Sequence, residues 1–220
     1  AGFESPIESN GELGAAEADI DIAAESTLKS GVYGPLVLGV DAANGQFSAV
    51  YQTASQPECH LRIRGLMDRT DEPLRVAAQV LRDARQNPEA NVGVVSGRLV
   101  PGIDIRRRPT VWLRLDQVPT GCTALDGLSD SLSKPLPQTT SGDWISVHWT
   151  LAERAYFHTD PHASTVRKAY VVAGDTLRGY GETAEFIELE FIAPNGRATR
   201  GWINWMDVMP SLWLGDGAEM

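Results

Sequence analysis

The sequence predicts a mainly β protein: a small β-barrel or curved sheet with one helix, followed by a second small β-barrel. Three observations lead there. Apolar residues alternate with polar ones over short stretches (Phe47, Ala49 and Tyr51; Leu61 and Ile63; Val111, Leu113 and Leu115), which is the period of a half-buried strand. Turn dipeptides such as Asn44-Gly45, Asp160-Pro161 and Asn195-Gly196 separate these stretches at short intervals. One stretch alone, from Leu74 to Ala84, repeats its apolar residues at helical spacing.

A chain of 220 residues holds one or two domains, and 42% apolar with 22% charged residues is ordinary for a globular protein. Its 19 basic and 29 acidic residues leave a net charge of −10, which argues against nucleic acid as a partner, because phosphate contacts need a basic face. No apolar run approaches the roughly 18 residues of a spanning helix, so no membrane span is expected.

Residues 1–30 read as an acidic, solvated tail. Seven acids (Glu4, Glu8, Glu12, Glu17, Asp19, Asp21, Glu25) meet no Lys or Arg before Lys29, and no apolar period runs through them. The chain opens at Ala1 with no signal region of its own, as removal of a targeting segment or trimming would leave it.

A first β-rich unit is expected over 31–126. Leu36–Val40 and Gln46–Tyr51 flank the Asn44-Gly45 turn as a hairpin, and Cys59–Arg64, Val92–Val100 and Thr110–Leu115 supply further strands. The helix starts at a Thr70 or Asp71 cap with Pro73 in its first turn. It places Leu74, Ala77, Ala78, Leu81 and Ala84 on one face and ends at Asn87-Pro88, with Arg75, Arg82 and Arg85 away from the stripe. Cys59 and Cys122 lie 63 positions apart, outside any zinc or Cys-x-x-Cys spacing. An exported protein would pair them, whereas a reducing compartment would keep two buried thiols; the bond, and with it the periplasm or cell surface, is the expectation. Residues 58–108 hold ten Arg against seven acids, in a chain that is otherwise acidic. Residues 127–143, rich in Ser, Thr and Pro, read as a linker.

The second unit, 144–212, carries Trp144, Trp149, Tyr156, Phe157, Tyr170, Tyr180, Phe186, Phe191, Trp202 and Trp205. The run Arg154-Ala-Tyr-Phe-His-Thr-Asp-Pro161, then Arg167–Asp175 ending in Gly-Asp, then Asn195-Gly196 and Gly201-Trp-Ile203, resembles a bacterial SH3-like domain over about residues 144–209. That resemblance implies an antiparallel barrel, and a module of exported proteins that binds cell-wall peptides or serves in inhibitors and immunity proteins. The resemblance does not extend to the first unit, which stays unassigned.

Each chemistry-bearing cluster in the sequence also admits a plainer reading. His158, Asp160 and His162 alternate as metal ligands could, but Pro161 breaks the strand and a solvated or partner-contacting loop fits better. Glu182, Glu185, Glu188 and Glu190 read as the outer face of a strand, solvated or acidic for docking, rather than as paired carboxylates for proton transfer. Ser96 lacks the order of a nucleophile elbow, and Arg106–Arg108 forms a basic loop. No cofactor is expected and no catalysis. The expected function is an exported inhibitor or immunity protein that neutralises a secreted toxin or cell-wall hydrolase by direct contact; the alternative is a peptidoglycan- or glycan-binding envelope module. Tyr156, Phe157, His158, His162, Tyr180, Glu185 and Glu188 are the expected partner contacts, because aromatic anchors flanked by charges dominate interface centres.

Overall fold

A computed structural model of the chain describes residues 27–56, 59–67, 73–81, 93–129 and 134–208. Two antiparallel sheets account for the architecture. The first is a meander of β1 (Gly31–Tyr33), β2 (Leu36–Asp41), β3 (Gln46–Tyr51), β4 (His60–Leu66), β5 (Leu74–Leu81), β6 (Val94–Ile103) and β7 (Pro109–Leu115), each strand pairing with the next. Two short strands, β8 (Leu136–Pro137) and β9 (Thr140–Ser141), pair with β7 and β1 respectively. One six-residue stretch therefore fastens both edges of the meander and holds it as a curled half-barrel. The Gln138 side chain donates to the Ser30 carbonyl at 3.0 Å, while its own N–H donates to Pro109 at 2.7 Å, so the clasp touches both sides.

The concave face is the core. Leu36, Leu38, Phe47, Ala49, Leu61, Ile63, Leu99, Leu113 and Leu115 are buried there, in alternation with outward residues. Leu125 and Leu128, on a 3₁₀ turn after β7, plug the same core. Cys59 and Cys122 are bonded beside it, with their Cα atoms 5.5 Å apart.

Two expectations are corrected here. The stretch read as the start of a helix, Leu74–Leu81, is a central strand. Leu74, Val76, Ala78 and Val80 are buried in the first core, while Arg75, Ala77 and Gln79 point outward, so the operative period is two; Leu81, on the outward side, is buried separately. Small apolar residues at 77 and 78 satisfied both periods, and pairing with β4 on one side and β6 on the other decides between them. Thr70, Asp71 and residues 82–88 of that reading lie outside the described residues. Of the stretch expected to link the units, 127–143, the described residues 127–129 and 134–143 include Leu128, β8 and β9, which are built into the first sheet; residues 130–133 lie outside the described residues. The end of the expected tail is also folded in: Ser30 Oγ donates to the Trp144 carbonyl at 2.6 Å.

The second sheet contains β10 (Ser146–Trp149), β11 (Arg154–His158), β12 (Val166–Val172), β13 (Thr176–Glu182), β14 (Phe186–Ile192) and β15 (Ala198–Asn204) in the order β10-β13-β14-β15-β11-β12. Its core is Ala155, Phe157, Val171, Leu177, Ile187, Leu189, Ile203 and Val208. Strand β10 lies across the outer face of β2 and β3 and joins the two sheets. Gly39 makes this possible: a Cβ there would sit 2.6 Å from the Ser146 backbone. Val50, Leu81, Trp144 and Val147 bury a small apolar seam between the sheets. Around it the Trp144 indole N–H donates to the Leu38 carbonyl at 2.7 Å, and the Val147 N–H donates to Ser48 Oγ at 2.8 Å. The sheets therefore meet through fitted contacts and not through a tether.

Candidate functional site

The expected partner residues all belong to the second sheet or its connecting loops, but the structure sorts them into three settings. Phe157 is fully buried in the core and can touch no partner, which removes it from the candidate surface. Alternation explains the outcome, since Ala155 and Phe157 face inward while Arg154 and Tyr156 face out. His158 is half-buried: its ring packs edge-on against Phe186 at 5.1 Å, and Nδ1 lies 3.0 Å from the His162 carbonyl oxygen. His162 is exposed, and its carbonyl also accepts from the Thr165 hydroxyl at 2.8 Å, so this loop is held by its own hydrogen bonds. His158, Asp160 and His162 are not brought together as ligands, and among the described residues no group of three His, Cys, Asp or Glu is placed to hold a metal.

Tyr180, Glu188 and Glu190 form a ladder of balanced charge. Arg200 donates through Nε to Glu188 at 2.9 Å and lies 3.6 Å above the Tyr180 ring. The Tyr180 hydroxyl donates to Glu190 at 3.0 Å, and Arg178 approaches the same carboxylate at 3.8 Å. Arg178 in turn stacks on the Trp144 ring at 4.2 Å. Burial, then the bond to Glu190, pushes the Tyr180 hydroxyl up to about 12. The acidic docking strand expected from Glu185–Glu190 is thus largely neutralised from within the sheet. Glu185 is exposed and takes part through its backbone, accepting from the Trp205 N–H at 3.0 Å. Arg178 and Arg200 were missed; each alternates with an aromatic two residues on (Tyr180, Trp202), a strand-period signal already present in the sequence.

What stays open to a partner is the other end of the same sheet. Tyr156 and Tyr170 are Cα partners on β11 and β12, are 38% and 45% exposed, and hold their rings 5.6 Å apart. The Arg154 guanidinium covers Tyr170 at 5.1 Å. Val166 and Val172 extend this exposed apolar surface along β12, an outer strand of the sheet. Tyr156 was expected; Tyr170 and Arg154 complete the group.

Polar groups are also trapped where the sheets meet. His148 is fully buried, its Nε2 lies 2.8 Å from Ser146 Oγ, and its Nδ1 has no hydrogen-bond partner. Burial, then repulsion from Arg62, pushes its imidazole down to about 3, so it is neutral. Burial likewise pushes Arg62 down to about 10. His60 packs edge-on against Trp149 at 5.4 Å across the same seam.

Comparison with known proteins adds no further assignment: no family model, no curated protein and no solved structure matches the chain. Among the described residues no helix is long and apolar enough to cross a membrane.

Proposed function

We propose that this chain is an exported bacterial binding protein, an inhibitor or immunity protein that neutralises a secreted toxin or cell-wall hydrolase by direct contact and performs no catalysis itself. The observation that carries the reading is the exposed Arg154–Tyr170–Tyr156 stack. Aromatic rings and arginine supply most of the energy at protein interfaces, and here they stand exposed on a sheet whose Glu188 and Glu190 are paired with arginines. The Cys59–Cys122 bond supports an oxidising compartment, the periplasm or cell surface. The resemblance of the second unit to bacterial SH3-like domains points the same way, towards Tyr156, His158 and His162 as the partner-facing side of the barrel.

The same tyrosine pair suits a second reading, a peptidoglycan- or glycan-binding envelope module, because aromatic faces also pack against sugar rings. Affinity capture from a periplasmic extract separates the two when run beside sedimentation with isolated peptidoglycan. The first reading expects one protein to be retained by the wild-type chain and lost with Tyr156→Ala/Tyr170→Ala. Peptidoglycan binding sensitive to the same change selects the module, and capture unaffected by it removes this face from either role.

A further inference from the structure

The hairpin of β6 and β7 carries a surface that folding does not account for. Strand β6 is ten residues long, and its register sets Arg98 opposite Arg114 on β7. Both are exposed. Like charges directly opposite on neighbouring strands oppose sheet formation. Beyond this row Val100 pairs with Trp112, whose ring lies over Gly102; a Cβ there would come within 2.5 Å of it. The hairpin then ends in a rigid tip. The Asp104 carboxylate accepts from the Arg106 and Arg108 N–H groups at 2.9 and 2.8 Å and from Arg108 Nε at 2.8 Å. Those bonds, the one from Arg108 first, hold the carboxyl below its usual range. Arg107 occupies the left-handed region at φ 59°, where glycine would sit without strain, and Ile105 is fully exposed. Over 93–116 five arginines meet two aspartates, in a chain whose net charge is −10.

The geometry points to this hairpin as a preformed binding arm for an acidic protein surface, with Arg98 and Arg114 pairing carboxylates while Ile105 and Trp112 pack an apolar patch between them. The occupant is a protein for a reason visible on the arm. Guanidinium forks accept carboxylates, phosphates and sulfates alike. An anionic glycan or phosphodiester chain, however, brings nothing to cover an exposed isoleucine. Arginine and tryptophan together are also the composition of interface centres. The proposal deepens the binding function above and rests on it for a protein partner; it places a contact on the first sheet, distinct from the tyrosine stack on the second.

The test uses the full chain and a fluorescein-labelled Glu-Gly-Val repeat peptide, read by fluorescence anisotropy at low ionic strength. Saturable binding that weakens as salt rises is expected. Arg98→Glu/Arg114→Glu should weaken it by at least about thirtyfold and Ile105→Ser by about fivefold, whereas Tyr156→Ala/Tyr170→Ala leaves it unchanged. Because that last variant is the one that tests the tyrosine stack, failure of one site is told apart from failure of the other. Arg98→Gln, with the thermal midpoint checked, serves if the charge reversal folds poorly. Arginine-directed labelling of the wild-type chain gives an independent readout, with the peptide expected to protect Arg98 and Arg114. Absent peptide binding, undiminished binding by the charge-reversed chain, unprotected arginines, or heparin binding as tight as the peptide would each overturn the proposal.

Discussion

The two sheets treat charge in opposite ways. On the second, the two glutamates within β14 each meet an arginine from a neighbouring strand, Glu188 with Arg200 and Glu190 with Arg178. On the first, β6 and β7 set Arg98 and Arg114 abreast. A balanced ladder contributes to its own sheet and leaves little field to guide a partner. An unbalanced row costs the fold something and projects a field over a distance of about 10 Å at ordinary salt. The two surfaces thus differ in what they can do, although both look merely charged in the sequence.

The sharpest way to break this comparison is to separate the sheets. Trp144→Ala removes the largest side chain of the seam, its bond to Leu38 and the platform under Arg178. A loss of about 3–5 kcal/mol is expected, read as a lower denaturant midpoint. A single transition with an unchanged midpoint would show that the sheets do not depend on this contact. Next in size is the first sheet's own staple. Reducing the Cys59–Cys122 bond, which closes a loop of 63 residues, should cost roughly 4 kcal/mol in the chain-entropy model. Non-reducing peptide mapping should find the two cysteines linked beforehand.

Acid probes the seam itself. His148 has a folded value of about 3 against 6.5 when unfolded, so the unfolded chain takes up the proton first. The stability this residue contributes is whole above pH 6.5 and is lost as the pH falls towards 3, a change on the order of several kcal/mol. His148→Gln should flatten that part of the stability–pH curve; an identical curve would assign the acid sensitivity to carboxylates. The smallest effect is expected where charge is balanced at the surface. Glu188→Gln breaks the pair with Arg200 at a partly exposed position and should shift stability by no more than about 0.5 kcal/mol. A larger loss, seen by thermal melting, would mean that the ladder is a structural support.

Much of this molecule was legible before folding was considered. β2, β3, β4, β6 and β7 follow alternations that burial enforces, because a half-buried strand admits no other period. β5 was not legible, since Leu-Arg-Val-Ala-Ala-Gln-Val-Leu satisfies a helical stripe as well as an alternating one, and only its two neighbours settle the question. β8 and β9 are two residues each, too short to have any period. The candidate site divides in the same manner. Tyr156 could be read as outward-facing from its own strand. The neutralisation of Glu188 by Arg200, twelve residues away, exists only in the register of β14 with β15. Phe157 was misplaced for want of a parity argument that its neighbours in Arg154–His158 already contained.

The clasp formed by residues 136–141 has a consequence for the order in which the molecule can be made. During synthesis the seven strands of the meander emerge with β1 and β7 still bare, each an edge able to recruit another chain. They can be covered only after some twenty further residues have appeared, and the Trp144 that locks Ser30 follows directly behind. A fragment ending at residue 126 would retain the disulfide and most of the core and yet keep both edges open. The first unit therefore becomes sealed against its own copies at nearly the moment when the second begins to fold.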